Sequence, residues 1–173
     1  MRLPDSREPG KYVGTPIVKK DAEALVTGKP VYADDLAPEN CLIIKILRSP
    51  HAHAMIREID ASKAELVPGV ECVLTYKNVP QHRFTQAGQT FLEASPYDRY
   101  ILDQHVRFVG DEVAIVAAET EKAANKALKL IKVTYDVLPA ILDFRESLDN
   151  ETLIHPEDDW TESDWSHGDN KRN

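Results

Sequence analysis

The stretch Arg107–Thr120, R-F-V-G-D-E-V-A-I-V-A-A-E-T, decides how the rest of the chain is read. Val113 to Ala118 is the longest uninterrupted apolar run in the sequence. Apolar residues at consecutive positions of a strand point to both faces of a sheet, so such a strand is buried on both. The run therefore reads as a central strand. Gly110, Asp111 and Glu112 stand before it as a turn, and a helical pattern follows it.

Working outward, Ala123, Ala124, Ala127, Leu128 and Ile131 recur at helical spacing, with Lys122, Lys126 and Lys129 between them. This predicts a main helix over 121–131, with Thr120 as its cap. Lys132 to Val137 then reads as a strand closed by Leu138-Pro139. If that strand lies parallel to the central one, the connection between them is a right-handed crossover. On the N-terminal side, Leu42–Arg48 is a strand ended by Ser49-Pro50, and His51–Asp60 is a second one with imperfect alternation. A short helix over Ala61–Val67 is stopped by Pro68-Gly69, and a third strand covers Val70–Thr75. His105–Val109 is a further short strand. Asp21–Val26 and Phe144–Leu148 read as helical turns. The expected architecture is α+β: a mixed β-sheet, one main helix and shorter helices packed on it.

Three segments lack a core pattern. Residues 1–20 are an extended lead-in rich in Pro, Gly and charge. Tyr76–Asp103 is a long polar loop dotted with aromatics, of the kind that carries function or an interface. Residues 158–173 form an acidic tail read as disordered, with docking of Trp160 and Trp165 on another protein surface as the alternative. Residues 21–157 are expected to form a single domain.

With 42% hydrophobic residues over 173 positions, the chain is long enough to close a core. Its formal net charge of -8 argues against nucleic acid and acidic membrane surfaces as partners. No stretch approaches the roughly 18 apolar residues of a membrane helix, and no apolar signal core opens the sequence. A cytoplasmic location follows as the expectation. Cys41 and Cys72 lack metal-ligand spacing and are expected to be reduced, partly buried thiols.

Candidate chemistry is sparse. His51 and His53 share a strand face and could ligate a metal, but no third ligand has suitable spacing. Asp111 and Glu112 are adjacent carboxylates, which on an extended chain point apart; turn-forming, solvated acids are the simpler reading. Asp34 and Asp35 read as turn or cap acids. The sequence has no G-x-G-x-x-G, no phosphate loop and no G-x-S-x-G turn. No catalytic, cofactor-binding or metal-binding residue is therefore assigned.

Several short motifs stand in a recognisable order: V-T-G-K-P-V-Y-A-D-D-L (Val26–Leu36), L-R-S-P-H-A-H-A-M-I-R-E-I-D (Leu47–Asp60) and P-G-V-E-C-V-L-T (Pro68–Thr75). The opening stretch, V-T-Y-D-V-L-P-A-I-L-D (Val133–Asp143) and I-H-P-E (Ile154–Glu157) follow. Together they resemble the start of the molybdenum-binding subunit of the xanthine dehydrogenase and aldehyde oxidase family. Glu112 departs from the proline that many relatives carry there. The resemblance implies an N-terminal a/b hammerhead domain, inactive alone, from a molybdenum hydroxylase that oxidatively hydroxylates a purine, another N-heterocycle or an aldehyde. It implies molybdopterin, 2Fe-2S clusters and FAD in the intact enzyme but none in this part. The implied partners are the remainder of the molybdenum subunit and the iron–sulfur and FAD domains or subunits. Weak self-association through an apolar surface is expected of the isolated part. The alternative is a stand-alone assembly or binding module reusing the fold, with the 76–103 loop and the tail tryptophans as its contact surface.

Overall fold

The computed structural model describes residues 16–85, 97–148 and 150–155. The expected lead-in lies mostly outside the described residues, and the acidic tail with Trp160 and Trp165 lies wholly outside them. Two compact units are distinguished, one through Cys41 and the other from Leu42.

In the first unit, helix α1 spans Ala22–Val26. It ends where Gly28 takes a φ of 71°, and Lys29 N–H returns to Ala24 O at 2.8 Å. A 3-10 turn follows at Ala33–Leu36, where the Asp35 carboxylate accepts from Tyr32 N–H at 2.8 Å. Asp35 is thus a cap, as its position suggested.

The second unit contains strands β1 (Ile43–Arg48) and β2 (Ala54–Asp60), helix α2 (Ser62–Glu65), and strands β3 (Val70–Thr75), β4 (His105–Val106) and β5 (Glu112–Ala118). Helix α3 (Glu121–Leu128) and strand β6 (Lys132–Val137) complete it. The α+β class holds, but the strands do not form one mixed sheet. They form two antiparallel three-stranded sheets, ordered β1-β5-β3 and β4-β2-β6. β5 is central, as its apolar run predicted. Because β1 and β3 occupy both of its edges, β6 pairs with β2 instead, and the strands flanking α3 belong to different sheets. The crossover rule for parallel neighbours does not apply to them.

One core joins the sheets. It gathers Ile56 and Ile59 of β2, Val113 and Val116 of β5, Val73 of β3, and Ala124 and Ala127 of α3. The alanine face lets α3 approach β5 closely. Thr120 Oγ1 accepts from Ala123 N–H at 3.1 Å, capping the helix as expected. α3 stops at Leu128, short of Ile131, because β6 must start at Lys132; Ile131 is still buried.

Two bulges explain the imperfect patterns. In β2, Ile56 pairs with Tyr135 but Glu58 pairs with Thr134, so Arg57 is an extra residue. The alternation shifts there, and Ile59 joins Ala54 and Ile56 in the core. In β5, Ala114 pairs with Leu47 but Glu112 pairs with Arg48, leaving Val113 unpaired and completely buried. Gly69 has a φ of 84°, and a Cβ there would meet Glu119 Oε2 at 3.3 Å; only glycine suits this turn beneath α3.

The long loop after β3 is pinned at its base. Asn78 Oδ1 accepts from Thr75 N–H at 2.6 Å, and Phe84 and Arg99 form an antiparallel bridge.

Candidate functional site

A cleft is lined by residues at the start of β2, around β4 and just after β6. It encloses about 510 Å³, and its lining includes His53, Met55, Asp103, Gln104, His105 and Pro139. Antiparallel register places Met55 opposite His105, which brings the neighbouring strand positions together. The polar groups of this cleft are turned on the protein itself. Gln104 bonds Ile56 twice, through its backbone oxygen at 2.8 Å and its side-chain amide at 2.9 Å. The Asp103 carboxylate accepts from Arg107 Nη1 at 2.5 Å and from His105 N–H at 3.1 Å.

His53 is buried, with Nδ1 at 2.6 Å from Pro139 O and Nε2 at 2.8 Å from His105 Nε2. A carbonyl only accepts, so His53 Nδ1 carries a proton. In the neutral pair His53 Nε2 is then the acceptor, and His105 Nε2 donates. The two imidazoles tie β2, β4 and the segment after β6 together. His51 does not join them; it meets the Tyr135 ring edge-on, with centroids 4.8 Å apart. Burial pushes the Tyr135 phenol above its ordinary value, opposed by a hydrogen bond to Ser49. Sequence spacing singled out His51 with His53. The actual partner of His53 is 52 positions away and could be found only from strand register.

Asp111 is buried rather than solvated, contrary to expectation. Its carboxylate accepts from Arg107 N–H at 2.9 Å and from Arg99 Nη2 at 3.2 Å. Its carbonyl accepts from Ser49 N–H at 2.8 Å. Glu112 pairs with Arg48 at 2.8 Å. The cause is the chain returning through Arg99, which closes over the turn. Each acid is neutralised by an arginine, which suits a brace rather than a proton acceptor. Cys41 and Cys72 are free thiols but exposed, not partly buried, since each lies on a surface position of its segment.

Cofactor chemistry can be tested against this donor set. An iron–sulfur cluster needs about four cysteine thiolates, or histidines replacing two of them. The whole chain has two cysteines, and no group of three or more His, Cys, Asp or Glu among the described residues could hold a metal. The residues described do not fit such a centre.

The sequence matches the family described as "Aldehyde oxidase and xanthine dehydrogenase, a/b hammerhead domain" over residues 27–139. The chain belongs to that family. Among its relatives, the probable hypoxanthine oxidase XdhD of Escherichia coli (strain K12) is 42% identical over 155 residues, 89% of this chain but 16% of that protein. The xanthine dehydrogenase molybdenum-binding subunit of Escherichia coli O157:H7 is 37% identical over 128 residues, 72% of this chain and 17% of the subunit. The solved aldehyde oxidoreductase from Desulfovibrio desulfuricans ATCC 27774 superposes with a TM-score of 0.71 at 32% identity, covering 90% of this chain and 18% of that one. The hammerhead chain thus spans about one-sixth of the length of these relatives. Among its described residues, no helix is long and apolar enough to cross a membrane.

Proposed function

We propose that this chain is the framework domain of a molybdenum hydroxylase. In its intact form the enzyme would hydroxylate a purine, another N-heterocycle or an aldehyde, and this part would supply no catalytic, cofactor-binding or metal-binding residue. One observation carries the reading: the polar groups of the cleft and of the β5 turn, buried at His53, His105 and Asp111 and half-buried at Asp103, Arg107 and Arg99, are engaged with one another through His53–His105, Asp103–Arg107 and Asp111–Arg99. A reacting site would need at least one such group directed at substrate.

Molybdopterin, 2Fe-2S clusters and FAD would reside in the remainder of the subunit or in partner domains, and the assembly would be cytoplasmic. The family match over residues 27–139 falls within 21–157 and supports treating that span as one functional domain.

The test is a graft. The matching segment of the Escherichia coli relative is replaced by this chain, and molybdenum content and hypoxanthine oxidation are measured. The expected result is a molybdenum-loaded, active graft beside an isolated 173-residue chain that holds no stoichiometric molybdenum. Stoichiometric molybdenum in the isolated chain would overturn the proposal.

A further inference from the structure

The β1-β5-β3 sheet has two unlike faces. Residues opposite each other in antiparallel register share a face. On one face lie Lys45, Val116 and Val73; Lys45 reaches Glu121 of α3 at 2.6 Å, so this is the helix-covered side. On the other face, register builds two cross-strand rows: Ile46, Ile115 and Leu74, then Ile44, Ala117 and Cys72. None of these six belongs to the core cluster shared by the two sheets, and of the six only the small Ala117, flanked by Ile44 and Cys72, is buried. Ile44 is 59% exposed and Ile46 36%, while Ile115 and Leu74 are half-buried. The rows contain no charged residue.

Aliphatic side chains in ordered rows across three strands make a flat apolar surface, and such surfaces mark contact sites. We propose that this face is the seat on which the remaining polypeptide of the same molybdenum subunit packs; the inference rests on the reading of the chain as one domain of that subunit. Area separates this occupant from a second copy. Three strands about 4.8 Å apart and two rows about 7 Å apart present on the order of 200 Å². A stable dimer needs about 800 Å² from each partner. A patch of this size suits a contact made within one chain, where covalent linkage supplies a high effective concentration. The relatives provide such a chain, since this segment is 16% of the hypoxanthine oxidase relative.

Cys72 lies in the second row and reports on the face directly. The experiment compares maleimide labelling of Cys72, read by peptide mass spectrometry, in the isolated chain and in the full-length graft into the Escherichia coli relative. Labelling is expected to be fast in the isolated chain at both low and high protein concentration, and at least tenfold slower in the graft. Ile46→Lys is expected to leave the isolated chain folded, by circular dichroism, and to lower the soluble yield of the graft severalfold. The exposed α3 substitution Lys122→Glu should leave that yield unchanged. Equal labelling in the folded graft would overturn the seat while leaving the domain reading intact. Protection that appears in the isolated chain at high concentration would assign the face to a second copy and also overturn it. A graft with wild-type rows that fails to fold would count against the domain reading, and the seat would fall with it.

Discussion

The two sheets of this domain are held by different means. The β1-β5-β3 sheet is closed on one side by an alanine-faced helix, and its cohesion comes from apolar burial of Val73, Ala114, Val116 and Ala118 against α3. The β4-β2-β6 sheet contributes Ile56 and Ile59 to the same core. Its third strand, however, is only His105–Val106. Two residues of ladder are too few to fix a strand, so side chains do the work: Gln104 on Ile56, His53 between His105 and Pro139, and Asp111 on the backbone of Arg107. Apolar packing is tolerant and graded. Buried polar pairing is specific, and costly when half of a pair is removed.

The largest expected effect tests that difference at Asp111. Asp111→Ala leaves the Arg107 N–H without its acceptor, and Arg99 with only the longer contact to Glu112 at 3.5 Å, in a site where the aspartate side chain is only 10% exposed. A loss of about 3–5 kcal/mol is expected, as for a broken buried pair. Glu112→Ala, one position along and 26% exposed, should cost less than about 1 kcal/mol. Urea unfolding of both variants decides it: similar midpoints would mean that the buried acid does not brace the turn.

The histidine pair gives the next largest effect. His53→Phe removes the bonds to Pro139 O and to His105, with an expected loss of about 1–3 kcal/mol. The geometry also fixes an observable that packing alone would not. Nitrogen NMR at a pH where both rings are neutral should find His53 as the Nδ1–H tautomer and His105 as the Nε2–H tautomer. The opposite assignment would break the proposed direction of the bond.

The same contrast governs how much could be read from the sequence. Val113–Ala118 announced a central strand because burial demands apolar residues, and the alanines at 123, 124 and 127 announced the helix beside it. Local signals also gave Gly69, Asp35 and Thr120 their roles. Long-range polar pairing has no such local signature. Nothing near His53 points to His105, and nothing near Asp111 points to Arg99, since a solvated acid and a buried, paired one look alike in one sequence. The bulges at Arg57 and Val113 were equally hidden, and the one at Arg57 turned a regular alternation into an ambiguous one. The expected single sheet had the same cause: strand order depends on which edges of β5 are taken, a property of the whole fold.

A smaller effect belongs to the helix-covered sheet. Thr120→Ala removes the side-chain acceptor at the start of α3 and should cost about 1 kcal/mol. Thr120→Ser should restore most of it, because the hydroxyl alone makes the bond. A full loss in both variants would assign the effect to the methyl group and to packing.

The smallest effect is at the exposed edge of the same helix. The Lys45 hydrogen bond, and then its charge, hold the Glu121 carboxyl below its ordinary value, with Asn125 adding a weaker bond. A folded-state value below the unfolded one means that the contribution to stability is present above the unfolded value, near 4.5, and is lost as pH falls through the folded one. Wild type should therefore be slightly more stable than Glu121→Gln at neutral pH, and the two should converge in acid. Both groups are solvated, so added salt should shrink the neutral-pH difference. Thermal unfolding of the pair across this range checks the sign. A difference that persisted unchanged in acid would show that Glu121 acts through the helix or its packing, and the ion pair to Lys45 would then contribute nothing to the covered face.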